Sequence, residues 1–428
     1  MIKTVSKRKN LKGEITIPAD KSISHRAVMF SAIAKGRAIV SNFSNGADCH
    51  STVNLFKQLG VDINFLDEKT LEIVGGSLQA PKEPLNAGNS GTTMRLVSGI
   101  LAGQDFESII MGDESLSKRP MKRIIEPLML MGADISSMDG KAPLYIRGKK
   151  LYGINYESQL ASAQVKSCIL LAGVNKRTEG STIYKEIYPS RNHTELMFKY
   201  LGADIKKEGS KIIIQPSELI AKDIEIVGDI SSAAFFIVAG LIVEGSDFVI
   251  KNVGINETRT GILDIVKRMN GDIELLNERE ASGEKVADIR VRYSEDLKAC
   301  EISGEDIPRL IDELPIIAVL ASQAKGDTVV KDANDLRAKE TDRITCLVRE
   351  LRKIGIDIEE RKDGFVVHGG GKSYLKGGDE LQTYHDHRLA MSFYVAGLIC
   401  ENEIAINGFE WTNISFPEFE QLMETIKH

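Results

Sequence analysis

One pattern recurs six times and limits what the chain can fold into. A polar start leads into a helix-length run that is apolar on nearly every side. The copies begin near Ser22, Ser90, Ala163, Ser231, Glu313 and His387. A helix without a polar face has no surface to show water, so each belongs in an interior. A second signature alternates with it: an amphipathic helix closed by Gly-x-Asp-Ile or a near variant. It reads Leu59-Gly60-Val61-Asp62-Ile63, Met131-Gly132-Ala133-Asp134-Ile135 and Leu201-Gly202-Ala203-Asp204-Ile205, with weaker copies at Met269–Ile273 and Ile354–Ile358. The glycine suits a left-handed helix C-cap. Alternating residues follow, as in Thr70-Leu71-Glu72-Ile73-Val74 and Lys211-Ile212-Ile213-Ile214, and predict strands. The spacing of roughly 70 residues marks a repeat architecture.

Each unit therefore reads as buried helix, strand, amphipathic helix and strand hairpin. The sixth amphipathic helix, Phe416 to Ile426, reaches the end of the sequence without a hairpin. Residues 2–18, with Lys12-Gly13-Glu14-Ile15-Thr16-Ile17 as their strand, are expected to supply it. The expected domains are then residues 20–226, holding repeats one to three, and residues 1–19 with 227–428, holding repeats four to six. A double crossing of the chain, near Pro18–Asp20 and Val227–Asp229, suggests a hinge, and ligands favour such places.

Composition narrows the function. The net charge is −6, so a nucleic-acid or anionic-membrane partner is disfavoured. Five cysteines lie far apart with no Cys-x-x-Cys pair, which argues against structural zinc and fits a reducing compartment; a cytoplasmic location follows. No Gly-x-Gly-x-x-Gly follows a strand, and Gly369-Gly370-Gly371-Lys372-Ser373 lacks the first glycine of a phosphate-binding loop. His385-Asp386-His387 has no third ligand cluster, so no metal and no cofactor is expected.

The polar residues that need explaining gather at the starts of the six apolar helices. Asn89-Ser90-Gly91-Thr92-Thr93-Met94-Arg95, Ser162-Ala163-Gln164-Val165-Lys166, Asp229-Ile230-Ser231-Ser232, Asp312-Glu313 and His385-Asp386-His387-Arg388 join Lys21-Ser22-Ile23-Ser24-His25-Arg26. Capping explains Ser90, Ser162 and Ser231. It does not explain lysine and arginine, because the helix dipole disfavours cations at that end. Cations there imply a bound anion shared by dipole and side chain. Gly112–Pro120, with Lys118 and Arg119, and Lys339-Glu340-Thr341-Asp342-Arg343 add cations on loops, where a solvated charge run is the plainer reading.

Taken in order, Lys21–Arg26, Asn89–Arg95, Lys339–Arg343 and Asp386–Arg388 resemble the enolpyruvyl transferase family, within it the branch that acts on shikimate 3-phosphate, and the resemblance spans the chain. It implies an α/β fold: a two-domain inside-out α/β barrel of six βαβαββ repeats with parallel helices buried. It implies transfer of the enolpyruvyl group of phosphoenolpyruvate to the 5-hydroxyl of shikimate 3-phosphate, with release of phosphate, on the route to aromatic amino acids. Lys21, Asp312 and Glu340 are implied as catalytic groups, Asp312 as the base for the hydroxyl. Shikimate 3-phosphate is implied to be held by Lys21, Ser22, Arg26, Ser162, Gln164, Ser190, Asp312 and Lys339. Phosphoenolpyruvate is implied to be held by Lys21, Gly91, Arg119, Gln164, Arg343 and Arg388. A monomer is expected, with these two small molecules as its partners. Three residues depart from the family pattern: Ala19 stands for a glycine, Ala163 for a serine found in some members, and Ile414 for a lysine in others. The sister branch, which acts on a UDP-amino sugar, carries a cysteine in the loop here formed by Gly112–Pro120, which has none. A non-catalytic anion-binding module on the same fold is the remaining alternative.

Overall fold

The computed structural model describes residues 1–159, 162–372 and 374–427. They divide into two compact units. One comprises Ala19–Val227 with Glu280–Glu284; the other comprises Met1–Pro18, Gly228–Arg279 and Lys285–His428.

In the first unit the apolar runs form the helices Lys21–Ile33, Gly91–Ala102 and Ala163–Val174. In the second they form Ile230–Ile242, Leu314–Ala321 and His387–Gly397. Their side chains are almost wholly buried, as helices without a polar face must be. Packing within the first unit is tight enough to require glycine. A Cβ on Gly99 would lie 2.1 Å from the Cys168 carbonyl oxygen of the neighbouring helix, so only a bare Cα lets the two backbones approach.

In each repeat a strand after the buried helix runs parallel to a lead strand, and in all but the first and fourth repeats that lead strand comes shortly before the helix. In the first five repeats an antiparallel hairpin then completes the sheet. Around Gly91–Ala102, for example, Leu85–Asn86 pairs parallel with Glu107–Met111, which pairs antiparallel with Lys141–Arg147, and this pairs with Asp134–Met138. Alternate residues of these strands are buried, so each sheet turns one face to the helices and one outward. In the first unit the lead strand of the first repeat comes last in sequence: Ile224–Glu225 pairs parallel with Gly36–Ser41.

The N-terminal segment divides its pairing differently from the expectation. Ile2–Val5, not Lys12–Ile17, completes the sixth repeat, pairing antiparallel with Ile404–Asn407. Lys12–Thr16 pairs parallel with Asp247–Gly254 and is the lead strand of the fourth repeat. The last amphipathic helix is shorter than expected, Phe419–Thr425, and a 3-10 turn over Phe409–Ile414 precedes it. Gly369 and Gly370 end the strand Gly364–Gly370, which excludes a phosphate-binding turn there; Ser373 of that motif lies outside the described residues. Among the described residues no helix is long and apolar enough to cross a membrane.

Candidate active site

The three helix N-termini of the first unit meet. Asp20 caps the first, its Oδ1 accepting from the Ile23 N–H at 2.8 Å. Ser90 and Ser162 cap the second and third. Side chains then tie the ends together. Arg95 donates to Gln164 Oε1 at 2.6 Å, and Gln164 Nε2 donates to Thr92 Oγ1 at 3.0 Å. A buried chain runs from His25 Nδ1 to Thr52 Oγ1 and on to Thr93 Oγ1, each step 2.7 Å. Burial, foremost, pushes the His25 imidazole down to about 3, so it is neutral in the folded protein.

Around this junction the expected residues take definite places. Lys21 Nζ lies 2.5 Å from Asp48 Oδ2. Burial pushes the Asp48 carboxyl up, but Lys21 outweighs it and holds the group below its ordinary value, with Arg119 adding to the effect. Gly91 opens the second helix. A Cβ there would stand 3.0 Å from an Arg95 terminal nitrogen and 3.6 Å from one of Arg119. Two guanidinium groups thus converge on a residue without a side chain, at the positive end of a helix dipole. Burial pushes Arg95 down to about 10, with further lowering by Arg123 and Arg119. Arg119 also donates to Asn89 Oδ1 at 2.8 Å. Gln164, Ser162 and Ser22 sit half-buried at the same junction. Arg26 is directed elsewhere. It is buried, and it donates to the Ser22 carbonyl at 2.9 Å, Thr194 Oγ1 at 2.8 Å and Ser167 Oγ at 2.8 Å. Ser190 is buried and gives its hydroxyl to Glu186 Oε1 at 2.5 Å.

The second unit gathers its own three helix starts, and here carboxylates and cations alternate. Asp312 Oδ1 lies 3.3 Å from Lys339 Nζ and 3.6 Å from Arg343; its Oδ2 is 4.0 Å from Arg388, which donates to the Asp312 carbonyl at 3.2 Å. Arg343, 1% exposed in its side chain, also donates to Glu340 Oε2 at 2.5 Å and to Asp386 Oδ2 at 2.7 Å. Burial, the largest single effect, works against ionising Glu340, but Arg343, His387 and Lys339 together outweigh it, and the carboxyl is held low. Burial pushes His387 down to about 4, with Arg388 adding to it. Asp386 caps the last buried helix, accepting from the Arg388 and Leu389 N–H groups. Asp229, rather than Ser231, caps the fourth, because its carboxylate reaches the Ser231 N–H at 2.9 Å. Ser231 instead donates its hydroxyl to Glu313. Asp312, Lys339, Glu340, Arg343 and Arg388 are therefore one cluster.

Local sequence signals did not show that Asp48, Arg95 and Asp386 hold the expected site residues Lys21, Gln164 and Arg343. Asp386 and Arg95 stand inside segments already singled out. Asp48 sits on a surface helix, and only the fold brings it to Lys21. Among the described residues no group of three or more His, Cys, Asp or Glu side chains is gathered as a cation site.

Residues 5–423 match the family model described as EPSP synthase (3-phosphoshikimate 1-carboxyvinyltransferase). A 3-phosphoshikimate 1-carboxyvinyltransferase of Thermoanaerobacter sp. (strain X514) is 50% identical over 426 residues, covering 99% of both chains. One from Citrifermentans bemidjiense is 49% identical over 429 residues, covering 99% of this chain and 98% of its own. Among solved structures, an EPSP synthase from Acinetobacter baumannii superposes with a TM-score of 0.92 at 44% identity, over 100% of this chain and 98% of that one. The enolpyruvyl transferase NikO from Streptomyces tendae reaches 0.80 at 16% identity over 99% and 97%, a likeness of fold alone.

Proposed function

The chain belongs to the EPSP synthase family, and from that premise we propose how its residues carry out the reaction. The enzyme transfers the enolpyruvyl group of phosphoenolpyruvate to the 5-hydroxyl of shikimate 3-phosphate and releases phosphate. The observation that carries the residue assignment is the convergence of Arg95 and Arg119 on Gly91. Like charges that close together repel, and an anion between them removes the repulsion. The phosphate or carboxylate of phosphoenolpyruvate is such an anion, and arginine forks match it in bidentate fashion. In this reading phosphoenolpyruvate is held by Lys21, Gly91, Arg119, Gln164, Arg343 and Arg388. Shikimate 3-phosphate is held by Lys21, Ser22, Ser162, Gln164, Ser190, Asp312 and Lys339. Arg26, whose observed bonds run to internal groups, contributes by remaining donors or by holding its neighbours.

The chemistry is addition followed by elimination. A proton goes to the methylene carbon of phosphoenolpyruvate, and the adjacent carbon gains cationic character. The 5-hydroxyl oxygen attacks that carbon as its proton passes to a base, giving a tetrahedral intermediate. Loss of a proton from the new methyl group and departure of phosphate restore the double bond. In this reading Lys21, Asp312 and Glu340 carry these protons, with Asp312 the base for the hydroxyl.

The test is phosphate release from phosphoenolpyruvate with and without shikimate 3-phosphate. Release that needs the acceptor is expected; release without it, or with a UDP-amino sugar instead, would overturn the reading. We also take the enzyme to be a monomer and to be cytoplasmic, the five free cysteines fitting a reducing compartment. Sedimentation at twice the chain mass would remove the monomer.

A further inference from the structure

We propose that Lys166 is a positioning residue for the acceptor substrate: it holds the segment Ser190–Glu195 in the shape that binds shikimate 3-phosphate. The inference rests on the reading above that Ser190 contacts that substrate.

Lys166 lies one turn into the helix Ala163–Val174 and is completely buried, its side chain 0% exposed. Its ammonium has three hydrogens and three acceptors: Glu195 Oε1 at 2.7 Å, Glu186 Oε1 at 3.0 Å and the Ser190 carbonyl at 3.2 Å. Glu186 Oε1 is also the acceptor for the Ser190 N–H at 3.0 Å and the Ser190 hydroxyl at 2.5 Å. Ser190 is thus gripped at its nitrogen, its side chain and its carbonyl, and every grip leads to Lys166 or to its ion partner.

The same helix secures the rest of the segment. Ser167 Oγ lies 2.6 Å from Thr194 Oγ1, and Arg26 bridges the two by donating to both. His193 Nδ1 lies 2.7 Å from Glu284 Oε1, again between buried groups. Two cations, Lys166 and Arg26, face two carboxylates, Glu186 and Glu195, in the interior. Apolar residues of similar volume commonly stabilise a core as well as or better than such a cluster. What ions add is direction. Each bond fixes an atom of a segment that has little apolar side chain to pack.

The experiment uses the full-length enzyme and three variants, Lys166→Met, Ser190→Ala and Glu186→Gln. Steady-state kinetics are measured for each substrate separately, with calorimetric binding of shikimate 3-phosphate alone. Lys166→Met is expected to raise the KM for shikimate 3-phosphate about tenfold, the scale of a lost charge-assisted bond, with the KM for phosphoenolpyruvate within about twofold. A similar rise in Ser190→Ala is expected. Should Lys166→Met not fold, Glu186→Gln decides: it keeps the volume and an acceptor for Ser190 but loses the ion pair. The same one-sided KM rise supports the proposal, and an unchanged KM overturns it. A folded Lys166→Met enzyme with normal shikimate 3-phosphate binding, beside a weakened Ser190→Ala enzyme, would leave Lys166 a structural residue only. If neither variant weakens binding, the Ser190 reading itself has failed and takes the inference with it. Equal rises in both KM values would also refute it.

Discussion

Asp386 offers a sharp test of how the second unit's site is held. It is 0% exposed and serves two masters with two oxygens. Oδ1 accepts from the Arg388 N–H at 2.8 Å and the Leu389 N–H at 3.4 Å; Oδ2 takes the Arg343 Nε–H at 2.7 Å. Asp386→Ala removes both. A lost N-cap costs about 1 kcal/mol. A lost hydrogen bond to a charged group costs about 1.5–3 kcal/mol. The larger penalty of roughly 3–5 kcal/mol for an orphaned buried charge is not reached. Arg343 keeps Glu340 at 2.5 Å and Asp312 at 3.6 Å. The sum for alanine is about 2.5–4 kcal/mol. Asp386→Asn has one oxygen left and can keep the cap, so about 1.5–3 kcal/mol is expected. The unit containing Asp386 should melt roughly 2–4 °C lower per kcal/mol. Thermal unfolding of both variants and the wild type gives the order wild type, Asn, Ala. An alanine variant within ~1 kcal/mol of wild type, or an asparagine variant below it, would refute the two-oxygen account.

Four further outcomes follow from the geometry. Gly99→Ala should destabilise by at least ~1–3 kcal/mol in urea unfolding, because the added carbon meets a backbone oxygen that cannot move aside. Gly91→Ala should raise the KM for phosphoenolpyruvate with little change in fold, since its new Cβ presses on the flexible Arg95 side chain; equal affinity would count against the anion cradle. Lys21→Met should lower kcat/KM by about a hundredfold or more, as loss of a group that both binds and moves protons; near-normal turnover would remove Lys21 from the mechanism. The unfolded chain protonates His25 and His387 below about 6.5, whereas the folded chain resists to about 3 and about 4. Stability should therefore fall as pH drops through that window, and His25→Asn should flatten the fall in acid titration followed by circular dichroism.

Much of the fold is legible because its strongest signal is local. Ala27 to Ala34 has no polar face, so its burial follows without any partner being known. Strand pairing over long separations is not local, and there the reading slipped. Ile2–Val5 buries only Val5, so the sequence pattern holds no sign that it closes the last sheet. Lys12–Thr16 does look like a strand, but nothing in it says which of two repeats it joins. At the fourth helix Asp229 and Ser231 are both good caps, and a two-residue difference in where the helix begins decides between them.

The candidate site shows a subtler division. Cations at helix N-termini read in the sequence as signs of a bound anion, but sequence does not show the acceptors that the protein itself supplies to them. For Arg26 it is a set of internal acceptors, including Ser167 and Thr194 from distant segments. For Lys21 it is Asp48, and for Arg343 it is Glu340, Asp312 and Asp386. Around Gly91 two guanidiniums, of Arg95 and Arg119, converge on a helix start. The two units therefore differ in electrostatic kind. In one, the guanidiniums at Gly91 are bonded to neutral acceptors, Gln164 Oε1 and Asn89 Oδ1. In the other, carboxylates already hold the cations, and a carboxyl held low by Arg343, as Glu340 is, makes a weak base. An anionic substrate that draws on the same guanidinium divides its field and lets the carboxyl rise toward its ordinary value. In the proposed mechanism proton uptake by Glu340 then becomes easier once substrate is bound, and Arg343 couples the two steps.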